Sequence, residues 1–303
     1  MAGHPATVAV LGVDGKLAPG VKVTLSDGEA LVTDRTGRAV FNAPPTGDYL
    51  IAKGSGASVA ALIDPAVAAS EPEAIALPPI VSIRDRFWIC GAGLQGSADQ
   101  NSVRINGQAA AVIAASPVCL VALPGTNLKP GAASIDVEAP GVQWSAETTL
   151  VSLDFIPPNP PLKPGEKGDL LVHVDGSAQK LGIVAHNQTP GVLKFLRGDA
   201  QEVLTGGGTE NIASLRVQAL ASGDFSFGAR LLPSPNLSSA QRYLKAAQAL
   251  APRDSQHKLA ELAERLLKHP KEASEIRIEV ERIETTTIAG ALKTLLEAAE
   301  DAL

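Results

Sequence analysis

Between residues 5 and 64 apolar positions recur at every second place in short runs, TVAVLGV, VKVTL and EALVT among them, each closed by a turn dipeptide. Period-two patterning turns one side of a strand to a core and the other to water, so this stretch predicts half-buried antiparallel strands. Asp14-Gly15, Asp27-Gly28, Asn106-Gly107 and Asp175-Gly176 punctuate the chain. Such dipeptides between alternating runs signal tight hairpins, because both central residues of the favoured turn need positive φ. The pattern continues through LLVHVDGS, KLGIVAHN, GVLKFLRG, SLRVQAL and FSFGARLL, to about residue 232. It predicts tandem β modules rather than strands alternating with helices.

After Pro233 and Pro235 the period changes. Ser238-x-x-Gln241 reads as a capping box ahead of Tyr243, Leu244, Ala247 and Leu250 at helical spacing. Pro252-Arg-Asp254 introduces a second helix with Leu259, Leu262, Ala263, Leu266 and Leu267 on one face. Pro270 opens a third carrying Ile276, Val280 and Ile283, and Thr285 to Thr287 precede a last one with Ile288, Leu292, Leu295 and Ala299. Each apolar stripe must be buried. The alternatives are a mini-bundle, docking on the preceding sandwich, or pairing with another chain. Leu259, Leu262, Leu266, Ile276, Val280, Leu292 and Leu295 form the candidate assembly face.

A chain of 303 residues accommodates two to four domains. Hydrophobic residues make up 45% but aromatics only 3%, so the cores must be built from Val, Leu, Ile and Ala. The net charge of −6 with scattered acids and bases offers no basic stripe, which argues against nucleic acid or anionic lipid as a partner. No apolar run reaches the length of a membrane span. The start, MAGHPATVAV, lacks a cationic segment and a continuous apolar region, so no signal peptide is expected in this sequence; an exported protein would have lost it. Residues 65 to 79, rich in Ala and Pro, predict a linker stiffened by Pro72, Pro78 and Pro79.

The segment Gly91-Ala-Gly93-Leu-Gln-Gly96 has the spacing of a dinucleotide fingerprint. That chemistry needs a helix opening at the last glycine, whose free N–H groups bind phosphate, and an acid about 20 residues on for the ribose. Here SADQNSVRING runs into an Asn-Gly turn, and no Asp or Glu occurs between Asp99 and Asp136. No nucleotide cofactor is expected.

Two resemblances account for these stretches. The pattern Gly12-x-Asp14-Gly15, Pro19-Gly20-Val21-x-Val23-x-Leu25, Thr33-Asp34-x-x-Gly37-x-Ala39-x-Phe41 and Pro44…Gly47-x-Tyr49 resembles the carboxypeptidase regulatory-like family over residues 5 to 63. That likeness implies a seven-stranded sandwich of transthyretin type without catalytic activity. In it Thr33 to Gly37 is a turn whose Asp34 accepts backbone N–H groups; a calcium ligand is the lesser reading of Asp34. Ile89-x-Gly91-x-Gly93-Leu94, Val103-x-Ile105-x-Gly107-x-x-Ala110-x-Val112, Ser116 to Val121, Pro124 and Gly131-x-x-Ser134-Ile135-x-Val137 resemble the IPT/TIG immunoglobulin-like family over residues 80 to 153. The alignment puts Cys90 and Cys119 on nearby strands, where a disulfide is sterically reasonable; two buried free thiols are the alternative. Residues 154 to 235, opening with FIPPNPPLKPGEKG, suggest a third immunoglobulin-like sandwich.

Candidate chemistry is sparse. No nucleophile elbow is present, and no Cys or His stands at metal-ligand spacing to Cys90 or Cys119. His173 and His186, near Asp169 and Asp175, would form an acid/base or metal cluster if they converge; solvent-facing strand histidines are the plainer reading. Arg197-Gly198-Asp199 matches an adhesion tripeptide and equally a turn, and Gly206 to Gly208 reads as a hairpin tip. Trp88 is expected in a core beside Cys90, leaving Trp144 as the one candidate platform for a sugar ring.

The expectation is a mainly β chain: three tandem immunoglobulin-like or transthyretin-like β-sandwiches followed by a small α-helical C-terminal segment. The divisions fall at 1–64, 65–79 as linker, 80–153, 154–235 and 236–303. Such a chain suits a non-catalytic scaffold or adhesion protein, extracellular, on the cell surface or periplasmic, that docks other proteins or copies of itself. The company of the two families suggests a bacterial source. The alternative is an accessory component of a secreted enzyme system that binds polysaccharide. No metal or other cofactor is expected.

Overall fold

The computed structural model describes the chain outside residues 13–15, 65–75, 197–199, 233–235 and 288–289. The Asp14-Gly15 turn, Pro72, Ile288 and the Arg197-Gly198-Asp199 tripeptide therefore lie outside the described residues. Nineteen strands and four α-helices are seen among them, and the chain is mostly β with a helical C-terminal segment.

The first strands are β1 (Pro5–Ala9), β2 (Lys22–Leu25), β3 (Ala30–Val32), β4 (Arg38–Asn42), β5 (Tyr49–Gly54) and β6 (Ala57–Leu62). They form a four-stranded sheet, β3-β2-β5-β6, facing the β1-β4 pair. Val23, Leu25, Leu50 and Ile63 are buried between the layers. Asp27-Gly28 makes the β2–β3 hairpin. The Asp34 turn forms as its sequence suggests: Asp34 Oδ1 accepts from the Thr36 N–H at 2.7 Å and from the Thr36 hydroxyl at 2.6 Å, while Gly37 takes φ 73°. Those bonds, the hydroxyl's first, hold the Asp34 carboxyl below its ordinary range.

Next come β7 (Ile80–Ser82), β8 (Phe87–Cys90), β9 (Ser102–Ile105), β10 (Gln108–Ala115), β11 (Cys119–Leu123), β12 (Gly131–Ala139) and β13 (Val142–Ile156). Asn106-Gly107 closes the β9–β10 hairpin with φ 50° and 76°, as a tight turn requires. β10 pairs with β9 through Ala110 and with β11 from Ala111, with a slip in the second ladder between Val112 and Ala114, so one strand serves both layers. Ile89, Ile105, Leu120, Ile135 and Leu150 fill the core between them. The end of the expected linker is fastened here: Ala76 bridges Cys90, and the Thr148 hydroxyl donates to the Pro78 carbonyl at 3.0 Å.

The third set is β14 (Lys167–Asp175), β15 (Gly182–Asn187), β16 (Leu193–Phe195), β17 (Ala200–Leu204), β18 (Ile212–Ala219) and β19 (Phe227–Leu231). β16-β18-β14 continue on the far half of β13 and face the β17-β15-β19 sheet. The expected division between 153 and 154 thus falls inside β13, which pairs with β12 through Leu150 and with β14 from Ser152. Asp175-Gly176 is not a hairpin; β14 pairs with β13 and β18, and Gly176 packs against the Leu150 carbonyl. Gly206 to Gly208 is no hairpin tip either, because it joins β17 to β18 in the other sheet. It is pinned by buried Asn211, which accepts from the Gly207 N–H at 2.8 Å and donates to the Ser177 and Gln179 carbonyls.

The helices are α1 (Leu237–Leu250), α2 (Arg253–Lys268), α3 (Ala273–Thr285) and α4 (Ala291–Ala302). Asn236, not Ser238, caps α1: its side chain accepts from the Ser239 N–H at 3.0 Å, so the helix starts before the expected capping box. Pro252 starts α2 as read from the sequence. Leu259, Leu262, Leu266, Ile276, Val280 and Leu295 are buried in one shared core, with Leu292 packed against it. The residues of the candidate assembly face thus lie inside the bundle, where the amphipathic stripes face one another. Leu267 departs from the stripe and is 68% exposed.

That core also contains Ile51 and Ala60 of the first sandwich, with Tyr49 packed against it. The helices lie on the side of β5 and β6 that faces away from β1 and β4. Tyr243 donates from its phenol to the Ala60 carbonyl at 3.2 Å, Arg242 pairs with Asp64, and the hydroxyls of Ser58 and Thr294 meet at 2.7 Å.

Candidate functional site

The glycine-rich segment is a joint between sandwiches. Thr7 of β1 is buried; its hydroxyl donates to the Gly96 carbonyl at 2.7 Å and accepts from the Ala98 N–H at 3.1 Å. β1 extends the sheet of the second sandwich through the Thr7–Ala115 pair, and Arg38 meets Asp99 at 3.0 Å. A side chain at Gly96 would collide with the Pro5 backbone. The segment after Gly96 is a single 3-10 turn at Ala98–Gln100 and then strand β9, so no helix opens there for a phosphate.

Cys90 and Cys119 are joined by a disulfide between directly opposed residues of β8 and β11. In β8, Phe87 and Ile89 point into the core, so Trp88 and Cys90 share the other face. Trp88 is 56% exposed there, opposite buried Val121. Trp144, opposite fully buried Val137, packs against the core instead. Trp88, expected in the core, is thus the exposed ring, while Trp144 is half-buried with one side on the core and also lines a surface depression. The reason is strand parity: once Ile89 faces inward, Trp88 cannot, and the register with β12 turns Trp144 inward.

Two shallow depressions lie on the second sandwich. One of about 370 Å³ is lined by Trp144 with Arg104, Asp136, Glu138, Gln143 and Ser145, and a neighbour of about 260 Å³ lies over Asp99, Asn101 and Glu138. Among the described residues no group of three or more His, Cys, Asp or Glu side chains is placed to hold a metal ion. His173 and His186 do not converge: His173 is on β14, paired with Asp154 and Ile212, and His186 is on β15 in the opposite sheet.

Charge concentrates instead where the helices meet the third sandwich. Arg277 of α3 pairs with Glu202 of β17 at 2.6 Å, and Arg230 of β19 pairs with Asp301 of α4 at 2.8 Å. Burial, then the nearby Arg230, holds the His186 ring below its ordinary value. Burial pushes the Glu300 carboxyl up to about 7. This joint has a faint signal in the sequence. Ile183, Val184 and Ala185 are consecutive and all buried, the mark of a strand covered on both faces; Leu50-Ile51 in β5 is the same.

No protein family and no curated protein matches the chain. Among solved structures it is similar to the full extracellular region of plexin A4, at 14% identity over 76% of this chain and 21% of that one, with a TM-score of 0.32. It is also similar to SGBP-B of the Bacteroides ovatus mixed-linkage glucan utilization locus, solved with a heptasaccharide, at 10% identity over 76% of this chain and 71% of that one, with a TM-score of 0.25. A third is the I9–I11 tandem of titin, at 11% identity over 76% and 89%, with a TM-score of 0.21. The chain thus spans about a fifth of the plexin.

Proposed function

We propose that this chain is a non-catalytic scaffold acting outside the cytoplasm, at the surface or in the periplasm, by docking another protein onto a rigid frame. The observation that carries this reading is the shared core of helices and first sandwich, together with the ion pairs from the same helices to the third. Sandwiches tied in this way present fixed faces, and a fixed face loses little conformational freedom on binding. Trp88 is the anchor we assign: a large amphipathic ring on a regular strand, more than half exposed, is the residue type that dominates protein contacts. The disulfide favours an oxidising compartment. No helix among the described residues is long and apolar enough to cross a membrane.

The test is a photo-crosslinking amino acid at position 88 of the full chain in its native envelope, beside one at exposed position 147. Docking gives discrete protein adducts from position 88 and none from 147. The same exposed ring favours one other reading, stacking on a sugar. Retention on insoluble glycans that Trp88→Ala abolishes, without protein adducts, would replace docking by that reading.

A further inference from the structure

The surface around Trp88 has a floor built by register. β8, β11 and β10 lie side by side, with Trp88 opposite Val121 and Val121 opposite Ala114. Two residues along, past the Phe87–Ala122 pair, Leu123 stands opposite Ala111 and comes level with Arg86. Two residues the other way lies the Cys90–Cys119 disulfide. Phe87, Ile89, Leu120 and Ala122 point into the second core, so by alternation these rows occupy the other side of the sheet. Val121 and Leu123 accordingly belong to none of the four cores among the described residues. The floor is three strands wide, about 10 Å at the usual strand spacing, which is the width of one helix or one extended segment. On one side it meets β1, whose Val8 packs into the first sandwich. On the other, the edge of β8 is already bridged to Ala76 at Cys90, so the grip on offer comes from side chains rather than from an added strand.

Charge decides the character of the partner. From Arg86 to Ile89 the residues are in turn exposed, buried, exposed and buried, so Arg86 shares the outward side with Trp88. Arg84, two residues before it, is held by Asp154 at 3.2 Å. The Arg86 guanidinium has neither an ion pair nor a hydrogen bond among the described residues. Only its backbone N–H is engaged, donating to the half-buried Asp85 carboxylate at 2.7 Å. The rows of the floor contain no acid. One uncompensated cation thus stands at the rim of an otherwise apolar surface.

We propose that this face takes a single peptide segment of a protein partner, apolar along the floor and carrying a carboxylate that closes on Arg86. The inference rests on the docking reading above and supplies the chemistry of its partner. Covering the floor strips water from the guanidinium, and a cation that loses water without gaining an acceptor is disfavoured. A carboxylate matches the guanidinium fork with two charge-assisted hydrogen bonds, a hydroxyl or amide offers a weaker acceptor, and a lysine or arginine is repelled. Trp88 supplies the grip, and Arg86 selects what is gripped.

The experiment is selection of a random-peptide display library on the full, disulfide-bonded chain, with the affinities of the enriched synthetic peptides then measured by fluorescence anisotropy. The expected peptides carry an Asp or Glu beside large apolar side chains. Trp88→Ala weakens their binding on the order of thirtyfold and Arg86→Gln on the order of tenfold. Both positions are exposed, so both variants keep the fold. Arg86→Glu turns the same selection toward peptides bearing Lys or Arg. Peptides that need Trp88 but show no preference for an acid, or a selection that Arg86→Glu leaves unchanged, overturn the partner's chemistry while docking at Trp88 stands. Peptides indifferent to Trp88→Ala remove the docking reading itself and this inference with it. An empty selection overturns the proposal, and so does self-association of the chain in sedimentation velocity that Trp88→Ala abolishes, which would give the face to a second copy.

Discussion

Gly96→Ala puts the close approach of the first two sandwiches to a direct test. Gly96 is not in the left-handed region, so alanine adopts its backbone conformation without strain, and the effect is purely steric. The added Cβ would fall on the Pro5 carbonyl group and 3.0 Å from the Pro5 Cβ. Backbone cannot swing aside as a flexible side chain does, so β1 must move. Displacement of that kind costs about 1–3 kcal/mol. It also takes the Thr7 hydroxyl away from the Gly96 carbonyl and the Ala98 N–H, two hydrogen bonds of about 1 kcal/mol each. The joint should lose about 3–5 kcal/mol in all. Several cores in one chain need not melt together, so the reading is local hydrogen exchange at Thr7 to Ala9 and Ala115, with denaturant unfolding beside it. Gly107→Ala is the comparison. Its φ of 76° makes alanine strained by about 1 kcal/mol, but nothing stands near the new methyl. If Gly96→Ala is as stable as Gly107→Ala and leaves β1 exchange unchanged, the steric account is wrong.

Two other substitutions follow from burial. Trp144→Ala should destabilise by about 1.5–3 kcal/mol in denaturant because the ring packs on the second core, whereas Trp88→Ala should stay within about 0.5 kcal/mol of the wild type; equal losses would refute the assigned facing. Leu262→Ala should cost about 2–5 kcal/mol and raise exchange in β5 and β6 as well as in the helices, since Ile51 and Ala60 share its core. Exchange confined to α1–α4 would show that the bundle is independent of the first sandwich.

Much of the strand pattern was legible because alternation is a local property. VKVTL and SLRVQAL fold as half-buried strands, and Asp27-Gly28 and Asn106-Gly107 turn where their conformational needs say. Asp175-Gly176 failed the same rule, because a dipeptide suited to a hairpin also suits a strand that leaves its sheet for another. The helices were legible by their stripes, but not the place where they dock. That place is set by Ile51, Ala60 and Arg242: the consecutive apolar pair Leu50-Ile51 signals a strand covered on both faces, but not which element covers it. Trp88 was misplaced because parity in a four-residue strand depends on one register choice, and FWIC offers apolar residues to either face. The use of the glycine segment had no sequence signal, since what it accommodates is the backbone of Pro5, 91 positions away by the numbering of the two residues.

β13 runs unbroken for 15 residues, a rod of about 50 Å at the usual rise per residue. Its first half belongs to one sandwich and its second half to the next, so there is no swivel where a linker would stand. The strand itself, rather than a linker, sets the angle at which the second sandwich meets the third.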